Sequence, residues 1–149
     1  MIRKANVDDV KKIQALISYY ADRDQMLPRS LNELYENIRD FYIWQEGKKV
    51  WGVCALHVDW EDLAEIKSLA VAKSKANKGI GSKLLAKCLA EAKVLRVKKV
   101  FALTYVPEFF ERFGFRLVDK KELPHKIWSE CIKCVHFPGC GEHAMVKEI

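Results

Sequence analysis

Residues 63–115 decide the fold. They read Leu63-Ala64-Glu65-Ile66-Lys67-Ser68-Leu69-Ala70-Val71, then Lys78-Gly79-Ile80-Gly81-Ser82, then an amphipathic run, then Val100-Phe101-Ala102-Leu103-Thr104 and Pro107-Glu108-Phe109-Phe110-Glu111-Arg112-Phe113-Gly114-Phe115. In order these are a strand, a glycine loop, a helix, a second strand and a short helix stopped by glycine. In the amphipathic run Leu84, Leu85, Cys88, Leu89, Ala92 and Leu95 recur at helical spacing, and Lys83, Lys87, Glu91 and Lys93 occupy the other face. A strand, a glycine turn and a helix N-terminus make an anion site, because unpaired N–H groups and the positive end of the helix dipole converge there. Glu65 lies on the strand that enters the site. That juxtaposition points to an enzyme holding a phosphorylated cofactor beside a carboxylate base.

Upstream, Asn6 can cap a helix whose inward face is Val10, Ile13, Leu16, Ile17 and Tyr20, and a short strand around Arg3 precedes it. Ser30-Leu31-Asn32-Glu33 is a capping-box pattern opening a second helix with Leu34 and Ile38 inward. Residues 41–44 and 50–58 read as strands joined by the turn Gln45-Glu46-Gly47-Lys48, and 57–62 as a polar turn. Residues 115–118 and 144–149 read as two final strands, with a cysteine-bearing excursion between them. The order β-α-α-β-β-β-α-β-α-β-β predicts an α/β sandwich around a mixed sheet, in one domain spanning 1–149.

Bulk properties agree. Half of the 149 residues are hydrophobic, and glycine and proline together number only 11, a globular composition. No apolar run approaches the roughly 18 residues of a membrane helix, and residues 1–5 lack a signal-like apolar stretch, so the expected location is the cytoplasm with no membrane partner. The net charge of +6 is concentrated: between Lys73 and Lys99 nine basic residues face one acidic residue, Glu91, which is +8 in that stretch alone. A basic face beside a glycine loop suits a small polyanion. A nucleic-acid surface is the rival reading, and it would need aromatic side chains interleaved on exposed strands. Phe41, Phe101, Phe109, Phe113 and Phe115 instead fall in core-like patterns.

The glycine loop is not a Walker loop, which ends in Gly-Lys-Ser/Thr, and it lacks the third glycine of the dinucleotide fingerprint. Residues 63–115 resemble the cofactor core of the GCN5-related N-acetyltransferases, in which a strand, an Arg/Gln-x-x-Gly-x-Gly/Ala loop and a helix hold acetyl-coenzyme A. Gly79 and Gly81 match the loop glycines, and Ala76 stands where Arg or Gln is usual, with Lys75 or Lys78 as substitutes. The resemblance implies an α/β (α+β) fold with a central, mostly antiparallel twisted sheet flanked by helices. It extends, through Leu27-Pro28-Arg29-Ser30, residues 101–104 and 109–115 and Glu122-Leu123-Pro124, to the short, acetyltransferase-only bacterial N-acetylglutamate synthases, or amino-acid N-acetyltransferases.

The resemblance implies a set of roles. Glu65 would deprotonate the amine. A main-chain N–H near Leu69 would polarise the thioester, Leu69, Ala70 and Val71 would bind the pantetheine arm, and Lys78, Gly79, Ile80, Gly81 and Ser82 would cradle the pyrophosphate. Phe110 stands where many members carry the tyrosine that protonates the thiolate, which moves that role to Tyr105, Thr104, water or no group. Arg29, whose planar fork suits carboxylate, would hold an amino-acid acceptor, with Lys67, Ser68 and Lys126 as further contacts. Of Lys67 and Ser68, strand alternation puts only Lys67 on the face of Glu65. The expected acceptor is L-glutamate, which places the activity in arginine biosynthesis; another amine, such as glutamine, a polyamine or a protein N-terminus, is the alternative, and a homodimer is an open option. Cys131, Cys134 and Cys140, with His136 and His143 near, could supply a structural zinc or could be packed reduced thiols. Cys54 and Cys88 sit in core patterns.

Overall fold

The computed structural model describes residues 1–123 and 142–149. Seven strands form one sheet in the order β1-β2-β3-β4-β5-β7-β6. They are β1 (Ile2–Lys4), β2 (Phe41–Glu46), β3 (Lys49–Trp60), β4 (Leu63–Val71), β5 (Lys99–Thr104), β6 (Arg116–Val118) and β7 (His143–Glu148). The helices are α1 (Val10–Ala21), α2 (Leu31–Glu36), α3 (Ile80–Val94) and α4 (Pro107–Glu111). Every neighbouring pair is antiparallel except β4 and β5, which run parallel because the whole of α3 crosses between them. This is the expected mixed, mostly antiparallel sheet flanked by helices.

Local chemistry explains the helix starts. Asn6 accepts from the Asp8 N–H, Asp9 reaches back to the Asn6 N–H, and Arg3 grips Asp9 through both of its terminal nitrogens at 2.8 and 2.9 Å. Burial alone would push the Asp9 carboxyl up. The guanidinium and the Asn6 N–H outweigh it and hold the group below the usual carboxylate range. Ser30 caps α2 by accepting from the Glu33 N–H.

The sheet separates two cores. On one face α3 and α4 bury Leu84, Leu85, Cys88, Ala64, Ile66, Ala102 and Phe110. On the other, α1 and α2 bury Val10, Ile13, Ile17, Leu34, Ile43, Val53 and Ala55, and a third cluster forms around Leu63, Phe101 and Val146. Gly52 lets α3 sit close to the sheet: a Cβ there would stand 2.9 Å from Ile80 Cγ2 and from Leu84 Cδ1. Cys54 and Cys88 are buried free thiols, as their positions predict.

Three expectations need correction. β3 continues to Trp60, so the supposed polar turn at 57–62 is only Glu61-Asp62. Pairing with β4 (His57 opposite Glu65, Val58 opposite Ala64) overrides the polarity of that stretch. α3 begins at Ile80, which puts Gly81 inside its first turn. Leu95 is not a core residue: it caps the helix C-terminus and is 52% exposed.

Candidate active site

The site opens where β4 and β5 part. Their parallel pairing runs from Leu63 opposite Lys99 to Ile66 opposite Ala102, while β5 stays paired with β7 as far as Thr104. β4 bends away because it carries a bulge. Ala55 pairs with Lys67 and Val53 with Ala70, so two steps on β3 match three on β4, and Ser68 takes a left-handed φ of 54°. The extra residue reverses the alternation. Ala64 and Ile66 point toward α3, whereas Ala70 packs with the α1 core. The resulting cleft has a volume of about 840 Å³.

At its lower end lie Gly79 and the start of α3. Gly79 has φ +80° with nothing within 4 Å of a notional Cβ, a conformation that glycine adopts without strain. No side chain caps the helix, and its first ladder bond is Lys83 N–H to Gly79 O. The N–H groups of Ile80, Gly81 and Ser82 therefore precede the helical ladder. Gly81 would accept a Cβ at ordinary distance, 3.6 Å from Val71 Cγ2 and 3.7 Å from Phe109 Cζ. Chain packing does not demand glycine at 81. The donor set there, main-chain N–H at a helix N-terminus, fits a diphosphate.

At the upper end Glu65 is buried (7% exposed), with its Oε1 3.8 Å from Lys67 Nζ. Arg29 enters from the α1–α2 connection, held by Glu33 Oε2 at 3.3 Å and by Gln14 donating to its carbonyl. Tyr105 and Phe110 close the β5 side. Phe110 is buried edge-on against Phe109 and Phe115. Thr104 is buried, and its Oγ1 accepts the Val106 N–H at 2.9 Å, so it shapes the turn into α4.

The cleft thus gathers Glu65, Lys67, Ser68, Leu69, Ala70, Val71, Gly79, Ile80, Gly81, Ser82, Arg29, Thr104, Tyr105 and Phe110. Ser68 joins them because the bulge cancels the alternation that put it on the far face. Lys78 is not among the lining residues. Lys75, its alternate, does line the cleft, tethered to Glu46 at 3.5 Å and lying over the Trp51 ring. Lys126, Cys131, Cys134, Cys140 and His136 lie outside the described residues. His143 begins β7.

Sequence reasoning passed over Tyr20, Met26, Asn77, Arg112 and Glu142, which also line the cleft. Tyr20 looked like one more core position of α1, yet its hydroxyl donates to the Val71 carbonyl. Burial raises its pKa, so it stays a donor. Arg112 had a readable signal: a cation one residue before Phe113-Gly114, next to an anion site. Arg29, Lys67, Lys75 and Arg112 against Glu65 and Glu142 leave the cleft net positive. Phe41, Phe101 and Phe115 are buried and Phe109 and Phe113 are half-buried against the α3 core, whereas Trp60 at the end of β3 is exposed. No helix among the described residues is long and apolar enough to cross a membrane.

Residues 7–115 match the acetyltransferase (GNAT) family. An uncharacterized N-acetyltransferase of Chlorobaculum tepidum is 38% identical over 99% of this chain and 96% of its own length. An amino-acid acetyltransferase of Mycobacterium tuberculosis is 34% identical over 87% of this chain and 76% of its own. Among solved structures, Rv2747 of Mycobacterium tuberculosis, in complex with CoA and NLQ, superposes with a TM-score of 0.85 at 28% identity, covering 100% of this chain and 99% of that one. N-acetylglutamate synthase of Neisseria gonorrhoeae, complexed with coenzyme A and N-acetyl-glutamate, gives a TM-score of 0.90 at 29% identity, covering 99% of this chain but 34% of the synthase.

Proposed function

The chain belongs to the acetyltransferase (GNAT) family and is an acetyl-coenzyme-A-dependent N-acetyltransferase related to the amino-acid acetyltransferases; from that premise we propose that its acceptor is the α-amine of L-glutamate and that N-acetylglutamate for arginine biosynthesis is its product. One observation carries the reading. The buried carboxylate of Glu65 shares its cleft with two cations, Arg29 and Lys67, that suit an acceptor with two carboxylates of its own.

Acetyl-coenzyme A, when bound, supplies the thioester carbon. Around it the chain's groups divide the work. The N–H groups at the start of α3 hold the diphosphate, and the main chain of Leu69 to Val71, freed from β5 by the bulge, holds the pantetheine arm. An α-ammonium is not a nucleophile, so Glu65 removes a proton from it inside the cleft. A main-chain N–H near Leu69 stabilises charge as it develops on the carbonyl oxygen. Tyr105, which lines the cleft, returns a proton to the leaving sulfur in this reading, and Phe110 offers none. Arg29, kept in place by Glu33, and Lys67 anchor the acceptor's carboxylates, and Ser68 and Thr104 complete that wall.

A panel of the twenty amino acids, followed by acetyl-coenzyme-A-dependent thiol release, tests the acceptor. L-glutamate should give the highest kcat/KM. Arg29→Lys keeps the charge and loses the fork, so the KM for glutamate should rise about tenfold while that for acetyl-coenzyme A holds. Preference for glutamine, a polyamine or a peptide N-terminus, or equal loss for neutral amines, would overturn the glutamate reading and leave the acetyltransferase intact.

A further inference from the structure

Acetylation of an ammonium releases one proton that the products do not keep. The ammonium nitrogen gives up two protons while its C–N bond forms and the C–S bond breaks; one goes to the departing sulfur and one to Glu65. Glu65 must pass its proton to water before the next turnover. Its side chain is only 9% exposed, and its open side is the cleft, which acceptor and cofactor fill during reaction.

The sheet leaves few other exits. In-register neighbours on adjacent strands point to the same face, and those of Glu65 are Phe101 on β5 and His57 on β3. Along β4 the same-face residues are Leu63 and Lys67. Phe101 and Leu63 are apolar and buried, and Lys67 Nζ stands 3.8 Å from Glu65 Oε1 as its ion-pair partner. Asp59 stands two places along β3 from His57, at the register shift between Val58 and Trp60. Imidazole is the side chain that takes up and releases protons near neutrality.

His57 is also oriented for the task. Its Nδ1 lies 2.6 Å from Asp40 Oδ2. An ionised carboxylate only accepts, so Nδ1 carries the hydrogen and Nε2 is left as the nitrogen that can take a proton. The side chains of His57 and Asp40 are 32% and 26% exposed, so the pair, with His57 in register with the buried carboxylate, reaches solvent. Neither residue lines the cleft, and the cofactor reading needs neither of them.

We propose that Asp40 and His57 form a proton exit behind Glu65, with His57 carrying the amine's proton from the Glu65 carboxylate to solvent and Asp40 fixing its tautomer. The proposal rests on the reading of Glu65 as the base. His57 is a positioning and relay residue; it touches neither acceptor nor cofactor.

The test is chemical rescue. His57→Ala should lower kcat about tenfold or more with both KM values unchanged, and added imidazole should restore turnover in proportion to its concentration. His57→Gln, which fills the space without accepting a proton in the same way, should lose activity equally at an unchanged Tm, and it serves alone if the alanine variant does not fold. Wild-type kcat in either variant, or a loss that imidazole leaves untouched, overturns the relay. Glu65→Gln, assayed alongside, should stay at its lowered kcat with or without imidazole. Should Glu65→Gln turn over normally, the base assignment itself fails, whatever His57 does.

Discussion

Strand β4 has two halves that work differently, divided at Ser68. Before the bulge, residues 63–66 are paired on both edges and Lys67 on β3 alone, and Glu65 and Lys67 line one end of the cleft with their side chains. After it, Ala70 and Val71 keep β3 but lose β5, and their main chain is what the proposed cofactor site uses. The left-handed Ser68, a conformation costing roughly 1–2 kcal/mol for a residue with a Cβ, buys this change of role within one strand. A strand paired throughout could present Glu65 or bind a ligand's amides, but not both side by side. Side-chain identity should therefore matter acutely before Ser68 and little after it.

The sharpest way to break this contrast is Glu65→Gln. The amide keeps the shape and removes the base, so kcat should fall about 10²- to 10⁴-fold while coenzyme A still raises the Tm as it does for the native chain. Stopped-flow thiol release and thermal melts measure the two quantities. A parallel loss of cofactor binding would mean that the two halves are not separable.

Two glycines sharpen it further. Gly81→Ala places a methyl among the proposed diphosphate donors, 3.6 Å from Val71 Cγ2 and 3.7 Å from Phe109 Cζ, in a helix that gains about 0.5–1 kcal/mol from the exchange. Its Tm should rise by about 2 °C while the acetyl-coenzyme A KM rises about tenfold. Gly52→Ala should do the reverse. Its methyl meets Ile80 and Leu84 at 2.9 Å, so overpacking should cost about 1 kcal/mol or more and lower the Tm while the KM shifts less than for Gly81→Ala. If Gly81→Ala lost stability and kept affinity as Gly52→Ala does, Gly81 would be structural.

These contrasts also explain what could be read from the sequence. The main-chain half was legible through its glycines, because only a few residue types tolerate the backbone at Gly79 and a helix run must follow. α3, β5 and the Pro107-to-Gly114 turn were legible through period and caps. Glu65 stood out as a carboxylate in an apolar strand. What escaped depended on register. A bulge carries no residue signature when a serine takes the left-handed position, so Ser68 was assigned to the wrong face. The length of β3 was hidden because His57 and Asp59 look like turn residues until the pairing with β4 is known. Tyr20 and Asp40 act through contacts 51 and 17 residues away along the chain, which spacing cannot reveal.

Tyr20 supplies the finest test of the comparison. Its hydroxyl donates to the carbonyl of Val71, the last residue of the main-chain half, and its own carbonyl accepts from Arg23 and Gln25, at the start of the connection that carries Met26 and Arg29. It therefore ties the cofactor strand to the acceptor side without touching Glu65's half of β4. Tyr20→Phe removes one hydrogen bond and no volume, a change of about 1 kcal/mol. Were that bond needed to hold the strand apart from β5, the acetyl-coenzyme A KM would rise about fivefold at an unchanged kcat. The native side chain should show the same dependence on titration. Burial raises its pKa, so its proton, and the stabilisation from this bond, are fully present below the ordinary tyrosine range. Both are lost only as pH climbs through the raised value. Native affinity falling at alkaline pH, with the phenylalanine variant flat over the same range, would place the hinge of the cofactor half at Tyr20. Parallel curves for the two would return that role to the bulge alone.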